Sequence, residues 1–334
     1  MNTEILSTHT PELFSIAVHR AVELLTAGEV VALPTETVYG LAANALNAEA
    51  VAKIYSIKGR PSHNPIIVHI ADLPMAKRCV ATWPTSAENL ANSFWPGPLT
   101  MVLPRAKNIP DIVTAGGETV GVRWPAHPFI QAVIRACSFP LAAPSANLSN
   151  AISPTSAAHV SKQLDGKLLL IADGGASNVG IESTVIDLST QQPRVLRPGM
   201  IHAESLAAAI GEGVLNESAG GESKTLRSPG MLRKHYSPKA KLLMLEWKSD
   251  EELKSRTTHH PSRTHIIAHT HIPSADGFAG VSVIPRDAAA FARAIYAELH
   301  RCDEAGAEVI VVEALPNQSD WRGIADRLAR AAVA

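Results

Sequence analysis

Gly28-Glu29-Val30-Val31-Ala32-Leu33-Pro34-Thr35-Glu36-Thr37-Val38-Tyr39-Gly40 is the stretch on which the reading of this chain turns. Glu29–Leu33 is a short apolar run between a glycine and a proline, the pattern of a buried strand. Upstream, Thr10-Pro11-Glu12 opens a helix, with Thr10 as its cap and Pro11 at its first position, and that helix ends at Gly28. Downstream, Pro34–Gly40 sets three polar side chains, Thr35, Glu36 and Thr37, at the C-terminal end of the strand. Open α/β sheets bind ligands at that end. An ordinary polar turn is the alternative reading.

The same alternation extends over residues 1–210. Further strands are expected at 66–70, 99–103, 119–123, 141–143, 168–172, 184–188 and 194–196, and helices at 128–136, 156–164 and 203–210. Alternating helices and strands define an α/β domain. Residues 211–239 change character: Gly, Ser and Pro fill 11 of these 29 positions, the composition of a linker. Yet Ser228–Pro238 carries Arg233, Lys234, His235 and Tyr236 together, which a bare spacer does not need. Residues 240–334 return to strands at 241–246, 264–268, 281–284 and 308–313, with a clear helix over 287–305 capped by Asp287. That pattern predicts a smaller α/β domain of the open-sheet, Rossmann-like type.

Bulk properties exclude several classes. With 30 basic and 31 acidic side chains, the charge balance does not mark a general nucleic-acid binder. Aromatics are 4% of the chain, so its cores must rest on Ala, Val, Leu and Ile. Cys79, Cys137 and Cys302 are widely spaced and read as small buried hydrophobes rather than a disulfide framework or a metal site. No secretory signal and no apolar run of about 18 residues occurs, so the chain is expected to be cytoplasmic, with no membrane association.

The familiar nucleotide and zinc signatures are missing. There is no Gly-x-x-x-x-Gly-Lys-Ser/Thr loop, no Gly-x-Gly-x-x-Gly after a strand and no His-Glu-x-x-His. A phosphate site would have to be assembled from dispersed cations. Lys58 and Arg60 are the first candidates. The helix read over residues 47–58 carries an apolar stripe, Val51, Ile54 and Tyr55, that leads on to Lys58 before Gly59 and Pro61 end it. A lysine on a core-facing stripe calls for an anionic partner; it also suits a helix C-terminus through the dipole. Thr119 and Arg123 share one side of a strand by period two, and Arg123 lies in an apolar stretch. It either meets a ligand anion or forms a buried salt bridge. The turn of residues 143–155 is dense in short polar side chains, but Ser145 lies outside a Gly-x-Ser-x-Gly elbow, so hydrogen bonding rather than acyl transfer is expected of it. Arg197 closes another strand. Five histidines, His259, His260, His265, His269 and His271, fall within 13 residues, and solvated loop histidines are the expectation there.

Taken together, these segments resemble the threonylcarbamoyl-AMP synthase family in its two-domain form with a YrdC-type amino-terminal domain. The resemblance rests on Pro34–Ala42, Lys58–Ile70, Phe94–Thr100, Val120–Pro128, Ala143–Ser149, Ser153–Thr155, Gly180–Asp187, Leu196–Gly199 and Ser228–Pro238. It implies a YrdC-type twisted mixed sheet with flanking helices in residues 1–210, a linker over 211–239 and a small domain over 240–334. It also implies an enzyme, a nucleotidyltransferase that joins L-threonine, bicarbonate and ATP into threonylcarbamoyl-AMP and pyrophosphate. The product would feed a downstream tRNA threonylcarbamoyl-transferase complex, met transiently.

Carried over by motif, Lys58, Arg60, Ser145 and Asn147 are the expected catalytic set. Thr37, His69, Arg123, Ala143, Ser145 and Ser183 are the threonine positions. Arg60, Asn64, Thr119, Ser153, Arg197, His235 and Tyr236 are the ATP positions. No metal is held by the protein itself; Mg2+ is expected to arrive on the ATP phosphates. Departures from the family pattern are Ile66 for leucine, Asn150 where glycine is common, and Ser237 for alanine in the linker motif. Asparagine tolerates the left-handed backbone that such a glycine adopts. The alternatives are a related carbamoyl-adenylate-forming carbamoyltransferase and a non-catalytic module with weak RNA binding.

Overall fold

The structure is a computed structural model, and it describes residues 2–211, 213, 215–216, 235–257 and 261–333. The chain divides into two compact units: Met1–Ser149 with Pro154–Met231, and Asn150–Ser153 with Leu232–Ala334. Ser228–Lys234 of the linker motif, and His259 and His260 of the histidine group, lie outside the described residues.

The first unit is built on β1 (Glu4–Ser7), β2 (Val31–Leu33), β3 (Gly40–Asn44), β4 (Val68–His69), β5 (Leu99–Pro104), β6 (Thr119–Arg123), β7 (Leu141–Ala142), β8 (Leu170–Asp173), β9 (Thr184–Asp187), β10 (Arg194–Arg197) and β11 (Leu215–Asn216). They form one mixed sheet in the order β1-β8-β2-β3-β7-β4-β6-β5-β9-β10-β11. Thr10 caps the first helix by accepting from Leu13 N at 3.3 Å, with Pro11 in its first turn. That helix delivers the chain into β2, whose three residues are all fully buried. Burial on both faces explains why this strand reads as a continuous apolar run rather than an alternation.

The Pro34–Tyr39 loop turns back into β3, a strand the sequence reading does not mark, antiparallel to β2 with Leu33 opposite Gly40. Gly40-Leu-Ala-Ala-Asn is small, apolar and almost wholly buried, so it carries no period-two signal. The loop is thereby pinned at both ends. Gly40 is a close-approach position: a Cβ there would lie 3.3 Å from the Cβ of Ala143.

The second unit carries β12 (Lys241–Leu245), β13 (Thr264–Ala268), β14 (Gly280–Val283) and β15 (Val309–Glu313) in an all-parallel sheet of order β12-β15-β13-β14. This is the open-sheet α/β arrangement expected. Asp287 caps the helix Ala288–Glu304 through a 2.8 Å bond from Ala290 N. Asn150, at φ 67, does adopt the left-handed backbone that a glycine would supply. Its carbonyl accepts from Ser237 N at 2.8 Å, and Ala151 bridges Ser237 in parallel.

Candidate active site

Asn47 caps the helix Ala48–Lys58 through bonds from Glu49 N and Ala50 N, and Gly59 ends it in the left-handed conformation, φ 60. Glycine takes that conformation without the steric cost a Cβ brings. The apolar stripe continues to Lys58, which is only 3% exposed. Among the described residues its ammonium meets no carboxylate. Nζ donates to Ser145 O at 2.5 Å, Asn147 O at 2.6 Å and Asn147 Oδ1 at 3.1 Å. Three converging oxygens supply the negative potential that the sequence reading sought in an anion. They match the three N–H donors of an ammonium. Burial, with Arg60 nearby, lowers its pKa well below that of an ordinary lysine. The lysine thus folds the Ser145–Asn147 turn around itself, reinforced by Ser149 N donating to Lys58 O at 2.9 Å.

Arg60 is buried two residues on. Its Nε donates to Asn64 O at 3.0 Å, and Nη2 donates to Asn64 Oδ1 at 2.8 Å and Pro65 O at 2.6 Å. Tyr55 of the same helix sets its hydroxyl 3.0 Å from Asn64 O and 2.9 Å from Ile112 O, its one proton shared between the two acceptors. The Arg60–Asn64 turn is therefore clamped from two sides, while Asn64 Nδ2 is buried without a partner.

β4 and β6 run parallel with His69 opposite Arg123, which sets these two side chains beside each other. His69 is buried, its Nδ1 has no hydrogen-bond partner, and its pKa is pushed down to about 3, first by burial and then by the Arg123 charge. It is a neutral imidazole at physiological pH. Arg123 reaches the Pro34–Tyr39 loop: Nη1 donates to Thr37 Oγ1 at 2.9 Å and Nη2 to Glu36 Oε1 at 2.7 Å, while Nε donates to Gly97 O at 3.3 Å. The buried salt bridge that the sequence allows for Arg123 is therefore present, and it lies beside Thr37 and His69, two of the positions expected to receive threonine. Thr35 organises the loop, sharing a 2.9 Å bond with Thr37 Oγ1 and donating to Val38 O at 2.6 Å.

A third cluster follows on the neighbouring strands. Ser183, just before β9, shares a 2.8 Å hydroxyl bond with Thr100 of β5 and accepts from Arg197 Nη2 at 3.0 Å. Arg197 Nε also donates to Ser183 O at 3.1 Å. Thr100 packs over Gly121 of β6, where a Cβ would lie 3.2 Å from Thr100 Cγ2.

Lys58, Ser145 and Asn147 are thus brought together, as are Thr37, Arg123 and His69, and Ser183 with Arg197. Ala143 is fixed by its N–H on Ile67 O at 3.1 Å, and Ser145 is bridged to Gly40. Thr119 sits at the far end of β6 from Arg123 and is half-buried. Ser153, His235 and Tyr236 belong to the second unit. There Ser153 O lies 3.1 Å from His300 Nε2, and Tyr236 packs under the Arg327 guanidinium and stacks on Tyr296.

Glu36, Thr35, Thr100 and Tyr39 organise these clusters and were not singled out as site residues from sequence. Tyr39 is buried, donates to Gly175 O at 2.7 Å and accepts from Gly174 N at 3.2 Å. The first two lie in the loop already read as polar, so their signal was adjacency to Thr37. Thr100 had none, because it is one hydroxyl in a buried strand.

The histidine group of the second unit divides: His271 is exposed in a loop, as expected, whereas two others are not simply solvated. His265 is buried within β13. Glu313, also buried, accepts backbone bonds from His269, Thr270 and His271 at 2.7 to 3.1 Å. These donors outweigh burial and hold its pKa below the usual carboxylate range.

Fold and site define a class: a mixed α/β protein whose first unit, built on one sheet, buries Lys58, Arg60, Arg123 and Arg197 among hydrogen-bond acceptors. A family model described as "Telomere recombination", covering Sua5, YciO and YrdC proteins, matches residues 23–199. A second, described as "Threonylcarbamoyl-AMP synthase, C-terminal domain", matches residues 201–333. The threonylcarbamoyl-AMP synthase of Pyrococcus abyssi is 39% identical over 311 residues, 91% of this chain and 90% of that protein. The Bacillus subtilis protein of the same name is 46% identical over 245 residues, 73% and 69% of the two chains. The crystal structure of P. abyssi Sua5 complexed with L-threonine superimposes with a TM-score of 0.90 at 36% identity, covering 99% of this chain and 98% of that one. This chain belongs to the threonylcarbamoyl-AMP synthase family.

Proposed function

We propose that the chain is a nucleotidyltransferase that condenses L-threonine, bicarbonate and ATP into threonylcarbamoyl-AMP and pyrophosphate, for threonylcarbamoyladenosine modification of tRNA. The observation that carries this reading is the buried Lys58, engaged among the described residues with neutral oxygens of the Ser145–Asn147 turn, in the unit that also buries Arg60, Arg123 and Arg197. The reaction brings a threonine carbamate against the α-phosphorus of ATP, and both groups are anionic. Fixed cations in a water-poor site offset that repulsion and align the two groups. A lysine cradled by carbonyl dipoles keeps its charge available to a stronger acceptor.

The roles follow from this chemistry. Lys58 and Arg60 neutralise carbamate and phosphate, while Ser145 and Asn147 orient the reacting groups. Thr37, His69, Arg123, Ala143, Ser145 and Ser183 receive threonine, with Arg123 on its carboxylate. Arg60, Asn64, Thr119 and Arg197 receive ATP; the ATP roles of Ser153, His235 and Tyr236 rest on motif alone. Mg2+ belongs to the nucleotide substrate. Its ligands would be the nucleotide phosphates. The proposed organisation is a catalytic domain over 1–210, a linker over 211–239 and a small domain over 240–334. The tRNA-modifying transferase that consumes the adenylate is the proposed transient partner. No helix among the described residues is long and apolar enough to cross a membrane.

The test is pyrophosphate release from ATP and Mg2+ with threonine or bicarbonate omitted in turn. Release that needs both co-substrates is expected; release indifferent to threonine would refute the reading.

A further inference from the structure

We propose that Glu36 is a substrate-binding residue, the anionic half of a clamp in which Arg123 holds the carboxylate of an α-amino acid and Glu36 Oε2 holds its ammonium. The proposal rests on the assignment of Thr37 and Arg123 to threonine. Glu36 is 7% exposed. One of its oxygens, Oε1, accepts from Arg123 Nη2 at 2.7 Å, and the other, Oε2, is buried with no hydrogen-bond partner. A buried carboxylate oxygen left unpaired is costly, and native structures rarely retain one without a use for it. A purely structural arginine–carboxylate pair would use the two-pronged geometry that satisfies both oxygens. Here only one prong is made.

Arg123 is spent in a complementary way. Its bonds to Gly97 O, Thr37 Oγ1 and Glu36 Oε1 use three of the guanidinium's five N–H donors. Two donors remain, the number that a second carboxylate accepts side by side. The pair therefore presents two N–H groups and one lone carboxylate oxygen.

Electrostatics select the ligand. Glu36 and Arg123 together are neutral, so a net anion gains less here than at a bare arginine. A zwitterion carries a positive and a negative group a bond or two apart, and it lies against the ion pair head to tail without burying net charge. Both ends of the carboxylate's segment are fixed: Glu36 O accepts from Val179 N at 2.7 Å, and Thr35 Oγ1 holds the loop behind it. The backbone that carries the carboxylate is thus held in place by the fold itself. Such a clamp would favour free α-amino acids over the corresponding hydroxy acids, which lack the ammonium, while the side-chain hydroxyl of threonine must be read elsewhere.

The test is calorimetric titration of the full chain with L-threonine and with 2,3-dihydroxybutanoate, its analogue with hydroxyl in place of ammonium, for wild type and Glu36→Gln. Wild type should bind L-threonine at least about tenfold more tightly than the analogue, the worth of one charge-assisted bond. Glu36→Gln should narrow that ratio severalfold while ATP affinity is kept. A structural role would weaken both ligands equally, so an unchanged ratio in a variant that still binds ATP overturns the proposal. Equal binding of the two ligands by wild type overturns it without any variant, so the test survives a Glu36→Gln chain that fails to fold. If wild type binds no L-threonine, the threonine assignment itself falls, and the clamp with it.

Discussion

Replacing Lys58 with methionine keeps the apolar stem out to Cε and deletes its ammonium. The change strands Ser145 O, Asn147 O and Asn147 Oδ1, which accept from Nζ at 2.5, 2.6 and 3.1 Å. Each orphaned buried acceptor costs about 1–3 kcal/mol, so the gross loss is about 3–9 kcal/mol. Two effects reduce it. The ammonium no longer needs to be desolvated, which recovers several kcal/mol. Ser145 is half-buried, so its turn can admit water. A net destabilisation of about 3 kcal/mol is expected, below the cost of breaking a true ion pair, because neutral dipoles and not a bare charge are left behind. The assay is urea unfolding of Lys58→Met against wild type, run beside threonine-dependent pyrophosphate release. The midpoint should fall and turnover should fall at least 100-fold, since both the cation and the position of Asn147 are lost. A variant as stable as wild type would refute the claim that Lys58 builds this turn. Near-normal turnover would refute its catalytic role.

Other consequences follow from individual residues. His69 is depressed to about 3 in the fold, against about 6.5 unfolded, so its contribution is complete above pH 6.5 and is lost as pH falls toward 3. Unfolding free energy should therefore drop by about 1.4 kcal/mol per pH unit on its account below pH 6, and His69→Gln should remove that slope in denaturant titrations at stepped pH. Arg60→Lys cannot span Asn64 O, Asn64 Oδ1 and Pro65 O, so the KM for ATP should rise about tenfold or more, while an unchanged KM would separate Arg60 from the nucleotide. Lys58, lowered by burial and Arg60, should lose its proton earlier than an ordinary lysine; turnover should decline on the alkaline side below the usual lysine range, as read from a pH–rate profile. Asn150→Gly should leave thermal stability within a few tenths of a kcal/mol, whereas Asn150→Ala should cost about 1 kcal/mol, because φ 67 strains a Cβ that cannot bond locally.

Sequence reading captured the elements whose signals are local. The capped helix ending at Gly28, the helix leading to Lys58 and the parallel strands of the small domain all carry caps, stripes or short β-branched runs. β3 escaped because Gly40–Asn44 is small and buried on both faces, leaving neither alternation nor bulk to detect. β1 escaped for another reason: Glu4–Ser7 is largely exposed and is a strand only because it pairs with β8, some 165 residues away. In the site, the charged residues were legible as cations in apolar surroundings. Their partners were not. The Lys58 anion turned out to be three oxygens contributed by residues 87 and 89 positions later, and the Arg123 anion was Glu36, 87 positions earlier. Composition can announce that a buried charge needs a partner, but only the sheet order names it. The histidines of the second unit show the same limit, since Glu313 gathers His269 and His271 from across 42 to 44 positions.

The central claim is that this chain forms a carbon–nitrogen bond to threonine and an anhydride to the α-phosphate in one site. Incubation of the full chain with ATP, Mg2+, L-threonine and carbon-13 bicarbonate, read by mass spectrometry of the adenylate product, tests it directly. The account predicts threonylcarbamoyl-AMP carrying one labelled carbon, in step with pyrophosphate release. Pyrophosphate released with no labelled adenylate, or a labelled adenylate that forms without threonine, would contradict it.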